Sequence, residues 1–268
     1  MEEKLLTKKL MTEVRDRVCD GMAAVDLLKP LVKEKGSQKD RIYLEAISKS
    51  LHRLLRLIRH VDACDVQSID EKRTLDLAGL YRKVGRDGED IAKLLGTDFS
   101  YSQPTDSSVI SHGDDYLLEM AILNLMANAF EAAGPAGKVR LGGKLEKDRW
   151  IVTVEDDGPG LPTPEAEENP FLKTHSGVGL GVDTARKIAE LHGGVLVLNS
   201  AAGGGVQAVL SIPVKKPKSL GGGEGIDVTD VGKAAAANYM TRGGGFSAIL
   251  LEFSHLLPGE NFFPDDMN

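Results

Sequence analysis

Along the N-terminal part of the chain, apolar positions recur at helical spacing. Leu6, Leu10, Val14, Val18, Met22, Val25, Leu28 and Val32 keep a period of three to four over residues 5 to 33. Gly36-Ser37 interrupts the pattern. A second run follows from about Lys39 to Asp65, with Leu44, Ile47, Leu51, Leu54, Ile58 and Val61 alternating steps of three and four, the spacing of a heptad seam. Two long helices joined by a short polar turn predict an antiparallel hairpin. One hairpin leaves too much apolar surface uncovered, so two are expected to associate into a four-helix bundle, giving a homodimer through residues 5–66.

Beyond a polar connector at Ser68–Arg73 the pattern changes. Residues 75–96 read as a helix with Leu77, Leu80, Val84, Ile91 and Leu94 on its buried side. Thr97–Gln103 and Val109–His112 look like short strands. Asp114 opens a strongly apolar helix that Gly134-Pro135 ends. Lys138–Leu145 and Trp150–Glu155 alternate as an antiparallel strand pair. Residues 161–176 contain Pro162, Pro164 and Pro170 and form a loop long enough to cover a ligand. A helix over Gly177–His192 and strands over Gly193–Ser200 and Val206–Val214 complete an α+β sandwich, a mixed sheet covered by helices on one face. The expected domains are 1–67, 74–214, and a linker with C-terminal extension, 215–268. In the extension, Phe246–Phe253 fits either a strand added to the sheet edge or a short helix, and no function is legible there.

Composition narrows the classes. With 41% hydrophobic and 27% charged residues the chain reads as a soluble globular protein. Its net charge of −7 gives no support for nucleic-acid binding. The balance is uneven, however: residues 1–66 carry 14 Lys/Arg against 11 Asp/Glu, a local excess of positive charge. No apolar run approaches the roughly 20 residues that span a bilayer, and Met-Glu-Glu-Lys begins no signal peptide. No membrane association and a cytoplasmic location are therefore expected. Cys19 and Cys64 lack metal-ligand spacing and fall too far apart on the expected hairpin for a disulfide.

Candidate chemistry lies in three ordered motifs. Asn124 and Asn128 stand four apart on one helix face, with Glu131 one turn further. An amide oxygen is a neutral hard ligand suited to a Mg²⁺ that leans on phosphate oxygens, although two asparagines bonding loop backbone satisfy the same spacing. Asp156-Asp-Gly158-Pro-Gly160 follows an alternating strand. Its carboxylate can accept from an exocyclic amine, and its glycines let backbone approach a flat ring. An ordinary Asp-Gly turn is the plain alternative. Gly177-Val-Gly179-Leu180-Gly181 opens a helix, where bare glycines and N-terminal amides form a site for phosphate oxygens. No Gly-Lys-Ser/Thr follows, so this is not a Walker loop, and no strand immediately precedes it, as a dinucleotide fingerprint requires. Lys173 and His175 lie just upstream, as solvated loop residues or as groups that swing onto phosphates.

In this order, with Pro170-Phe171 and a final Gly203-Gly-Gly205, the motifs make residues 75–214 resemble the ATP-binding domain shared by histidine kinases, gyrase, Hsp90 and MutL. The likeness is to the histidine-kinase branch. It implies that Asn124 and Asn128 hold Mg²⁺ and phosphates, that Asp156 reads adenine, and that residues 161–176 form an ATP lid anchored by Phe171. Gly177, Gly179 and Gly181 would line the phosphates. The hydrolase branches place a water-activating Glu where Asn124 stands, and an amide cannot act as a general base.

Residues 5–66 resemble the dimerisation and phosphoacceptor hairpin of the same kinases, with one departure. The best match to the family's His-Glu-x-x-Arg/Asn-x-Pro-Leu motif is Thr12–Val18: Glu13, which would be the base, an arginine and the apolar end remain, whereas the acceptor imidazole has become the Thr12 hydroxyl and the proline has become Arg17. His52 and His60 are the hairpin's only histidines, both on the second helix. With Leu51 and Leu54 in the seam, His52 is expected to face outward among Arg53, Arg56 and Arg59, as part of a solvated basic face or as a displaced acceptor. Those arginines also suit an acidic partner such as a receiver domain. Two readings stand: a histidine-kinase-like protein that binds Mg-ATP and transfers phosphoryl to a histidine or a partner, and a catalytically silent ATP-binding module acting through its hairpin. An anti-sigma serine kinase shares the pocket but needs no such hairpin. The nearly complete nucleotide motifs and Glu13 put the kinase-like reading first.

Overall fold

The computed structural model describes residues 2–69, 73–161, 180–214 and 248–259. They divide into two compact units, Met1–Asp62 with Ser247–Asn268, and Ala63–Phe246. The chain is of the α+β class, with a helical hairpin followed by a mixed sheet and its helices.

The first unit holds α1 (Glu2–Lys35) and α2 (Gln38–Asp65). Ser37 caps α2 reciprocally with Asp40: the Asp40 N–H donates to Ser37 Oγ at 3.3 Å, and the Ser37 N–H donates to Asp40 Oδ2 at 2.8 Å. Val18, Met22 and Val25 of α1 and Leu44, Leu55 and Ile58 of α2 are buried, Val25 and Leu44 pack in one cluster with Val32 and Leu51, and an Arg15–Asp62 ion pair joins the two helices. The single seam expected on α2 splits in two. Leu44, Leu51 and Ile58 turn into the hairpin, whereas Ile47, Leu54 and Val61 remain 50%, 47% and 38% exposed. Two heptad series three residues apart lie on neighbouring stripes of a helix, and one antiparallel partner covers only one of them.

In the C-terminal extension the structure decides between the two alternatives that periodicity leaves open. Ala248–Glu252 is a short helix, α6, rather than a strand, and it belongs to the hairpin unit, not to the sheet edge. Ala248 and Leu251 of α6, and Phe253 and Leu257 just beyond it, are buried.

The second unit is built on a five-stranded sheet in the order β2 (Asp98–Tyr101), β4 (Lys138–Glu146), β5 (Arg149–Asp156), β7 (Val206–Pro213), β6 (Val195–Ser200). Only the β2–β4 pairing is parallel. Along β5 every second residue is buried, with Trp150, Val152 and Val154 facing the helices, as the alternation requires. Three helices cover that face: α3 (Leu77–Leu95), α4 (Asp115–Ala133) and α5 (Leu180–Leu191). Tyr81 of α3 lies edge-on to Trp150 at 5.9 Å, and its hydroxyl sits 2.8 and 2.9 Å from the carbonyls of Ser102 and Leu141. A buried phenol is thereby paired.

One strand was not anticipated. Arg73–Asp76 forms β1, paired antiparallel with β3 (Ile110–Gly113), so α3 begins at Leu77 instead of residue 75. Asp76 is its N-cap: Oδ1 accepts from Ala78 N–H at 3.1 Å and from Val109 N–H at 2.9 Å. Among the described residues no helix is long and apolar enough to cross a membrane.

Candidate functional site

Helix α4 carries the asparagines and is itself almost wholly buried. Asp114 caps it, with Oδ1 accepting from Leu117 N–H at 3.1 Å. His192, at the end of α5, sets the same turn: its Nδ1 donates to the Ile188 carbonyl at 2.7 Å, so its Nε2 is free to accept from Asp114 N–H at 2.9 Å. The sequence reading missed this link. Its only signal was a histidine directly after an apolar helix.

Asn124 is fully buried, while Asn128, one turn on, is half-buried, as is Glu131. Against this pair stands the first turn of α5. A methyl group on Gly181 would lie 3.3 Å from Asn124 Oδ1 and 3.5 Å from Asn128 Nδ2. The two amides and the N-terminal turn of α5 therefore face each other across the width of a missing side chain. A helix N-terminus offers unpaired N–H groups and positive potential, and the amides add neutral hard oxygens. That donor set fits an anion, and a hard cation sharing the anion's oxygens.

Asp156 ends β5 at 7% exposure. Its Oδ1 accepts from the backbone N–H of Gly158 at 2.9 Å and of Val206 at 3.3 Å. Burial pushes its carboxyl above the ordinary value, and the two N–H bonds only partly offset this. With Oδ1 anchored, the side chain is held in one orientation, and among the described residues Oδ2 accepts no further bond. Oδ2 is thus an acceptor of fixed direction, suited to an amine.

Glycines shape the surroundings. Gly205 has φ +83°, and any Cβ there would collide with the Asp156 carbonyl. Gly158 approaches α4 so closely that a Cβ would stand 2.6 Å from the Ala132 carbonyl. Ala132 lies one turn beyond Asn128, so the Asp156 turn and the asparagine pair are both fastened to α4. Gly160 has φ +87° and makes the turn's exit. The roles of Gly205 and of the Val206 N–H toward Asp156 were not read from the sequence, since they depend on β5 and β7 being neighbours.

The structure thus brings Asn124 and Asn128 together with Gly181, and Asp156 together with Gly158, beside Gly160. Leu180 begins α5. Phe171, Lys173, Gly177 and Gly179 lie outside the described residues, as does nearly all of the expected lid. Glu13 and His52 belong to the hairpin unit. Glu13 is exposed and bonds Arg17 at 3.0 Å. His52 contradicts its expected outward position. It is 7% exposed, and its Nδ1 lies 2.8 Å from the Ser48 carbonyl. Burial holds its pKa below the ordinary histidine value despite that bond. The seam's inner stripe, Leu44, Leu51 and Ile58, has His52 on its flank, so the imidazole turns into the hairpin.

Residues 113–216 match the family described as histidine kinase-, DNA gyrase B- and HSP90-like ATPase. The alginate biosynthesis sensor protein KinB of Pseudomonas aeruginosa is 31% identical over 106 residues, 38% of this chain and 18% of that protein. The circadian input-output histidine kinase CikA of Synechococcus elongatus is 28% identical over 196 residues, 66% of this chain and 25% of that protein. The chain therefore spans a quarter or less of these two relatives. Full-length ShkA, solved in complex with AMPPNP, matches with a TM-score of 0.63 over 81% of this chain and 47% of its own, at 24% identity, a likeness of fold.

Proposed function

From the histidine-kinase-like ATPase domain that the chain carries over residues 113–216, we propose a signalling protein that binds Mg-ATP and passes phosphoryl to a partner in two-component signal transduction. The observation that carries this reading is the opposition of Asn124 and Asn128 to Gly181 at the start of α5, beside a buried Asp156 whose orientation is fixed by two backbone donors. In this reading Asp156 Oδ2 accepts from the adenine amine. The α5 N-terminus holds phosphate oxygens, and Asn128, with Asn124 and Glu131, carries the Mg²⁺. The cation, when bound, neutralises phosphate charge and leaves the terminal phosphorus more open to attack. The protein's own contribution is to orient the nucleotide and exclude water. Phe171, Lys173, Gly177 and Gly179 would close the site over it.

The buried His52 favours a partner as the phosphoryl destination. An acceptor imidazole must present an unprotonated nitrogen to the nucleotide, and in the hairpin His52 and His60 are both buried. The same observation supports a second reading, a silent ATP-binding module in which nucleotide alters how a hairpin dimer meets its partner. In both, the stripe of Ile47, Leu54 and Val61 is the dimer surface, and a receiver domain is the candidate partner. Incubation with γ-labelled ATP and Mg²⁺ separates them. The kinase reading expects acid-labile, base-stable label on protein, on this chain or on an added receiver domain. ATP binding without label on either supports the silent module, and absence of ATP binding overturns both.

A further inference from the structure

The basic side chains of α2 are not wholly the solvated face that their spacing suggests, although Arg53 stays exposed. Lys49, Arg53, Arg56 and His60 stand at i, i+4, i+7 and i+11, on one side of the helix. In the structure that side is covered by residues 248–259. Lys49 Nζ donates to the Leu257 carbonyl at 2.6 Å, and Arg53 donates to the His255 carbonyl at 3.0 Å. Arg56 Nε donates to Glu252 Oε2 at 3.2 Å, and its Nη1 lies 3.0 Å from His255 Nδ1. His60 Nε2 is 2.9 Å from the same Glu252 oxygen, and Arg59 lies 3.4 Å from the other.

Glu252 is 0% exposed. A carboxylate taken wholly out of water persists only when paired, and this one has two guanidiniums and an imidazole around it. Around it Leu251, Phe253 and Leu257 bury almost completely. The contact combines a central charge with apolar anchors, the composition of a specific protein docking site rather than of a loosely laid tail.

Glu252 is the only acidic residue in 248–259, and Lys49 and Arg53 meet the segment through backbone carbonyls instead of a carboxylate. Burial, and then the Arg53 charge, hold the Lys49 ammonium below the ordinary lysine value. A segment that places a second carboxylate beside Lys49 and Arg53 therefore gains a charge pair that residues 248–259 lack.

We infer that the basic face of α2 is a docking site for a protein segment carrying apolar anchors around a carboxylate, and that residues 248–259 fill it in cis as a tethered competitor. The segment reaches α2 from Val214 through residues 215–247 of the same chain. Tethering makes its capture intramolecular, so it competes as a ligand present at an effective concentration on the order of millimolar. A partner must therefore outbid the segment, and the face is closed until one does. The inference does not depend on nucleotide binding.

The test uses the full chain and a fluorescent peptide with the sequence of residues 246–260. Wild type is expected to bind it weakly. Glu252→Lys, which expels the segment, is expected to bind it at least tenfold more tightly, and adding Arg59→Glu to that variant should abolish the gain. A second opening variant, Leu257→Asp, leaves the Glu252 carboxylate in place and should also bind more tightly. Equal peptide affinity in wild type and both opened variants, with circular dichroism showing α2 still helical, overturns the docking site. A drop in assembly size for Glu252→Lys on gel filtration would place the segment on a second copy and overturn its occupancy in cis.

Discussion

At the scale of single residues, Asp156 has two demands placed on it that conflict. Its Oδ1 is fixed by the N–H groups of Gly158 and Val206, yet burial raises its carboxyl pKa, so ionisation costs the folded protein. A group whose folded pKa is raised contributes stability below its unfolded value, and that contribution is lost as pH rises through the folded value. Neutral pH is the costly side. Asp156→Asn keeps an oxygen for both N–H groups and removes the charge. The nucleotide-free variant is therefore expected to melt at the same temperature as wild type or higher. Its adenine-nucleotide affinity should fall by roughly 1.5–3 kcal/mol, the usual worth of a hydrogen bond to a charged group. Thermal melts and calorimetric titration on the same samples check both signs. Unchanged affinity would remove Asp156 from the adenine role.

At the scale of elements, the site is held by approaches that leave no room for a Cβ. Gly205 sits at φ +83° against the Asp156 carbonyl, so Gly205→Ala adds backbone strain and a collision together. It should cost on the order of 1–3 kcal/mol in urea unfolding. It should also weaken nucleotide binding, because the Val206 N–H that steadies Asp156 shifts with it. A loss of stability with normal nucleotide affinity would separate the β5–β7 turn from the site. The clasp of α6 on α2 has the opposite pH sign from Asp156. Burial alone would raise the Glu252 pKa, but the His60 hydrogen bond and the charges of Arg59, His60 and Arg56 outweigh it and leave it lowered. Its contribution is present above the unfolded value, near 4.5, and is lost as pH falls through the folded value. Wild type should exceed Glu252→Gln by about 3 kcal/mol at neutral pH, as expected for breaking a buried pair. The difference in urea midpoints should shrink only in acid. These elements also mark what was legible beforehand. The hairpin, α4 with its Asp114 cap, and the β4–β5 pair follow from periodicity and capping, which are local. β1 was not visible, because four residues hold too little alternation and the strand depends on β3, more than thirty residues away. The same holds at the site. Asn124, Asn128, Asp156 and the glycines carry their chemistry in their spacing. The burial of His52, however, depends on which of two adjacent stripes α1 covers.

For the whole molecule, the two units set how the chain can be divided. The expected first domain ends at residue 67, but the hairpin unit also takes in residues from Ser247 onward, and the last turn of α2 goes with the second unit. There Cys64 Sγ lies 3.5 Å from Thr184 Oγ1 of α5. A fragment of residues 63–214 should therefore be monomeric and bind ATP with affinity close to that of the full chain. A fragment of residues 63–268 should instead aggregate, because Leu251, Phe253 and Leu257 lose the helices that bury them. In the full chain, Leu54→Glu puts a charge on the exposed α2 stripe. It should turn the proposed dimer into a monomer without changing nucleotide affinity, since Leu54 and the asparagine pair belong to different units. Light scattering and calorimetry on the four proteins are sufficient. A dimeric 63–214 fragment would move the association surface onto the second unit. A soluble, monodisperse 63–268 fragment would show that the C-terminal segment does not need α2.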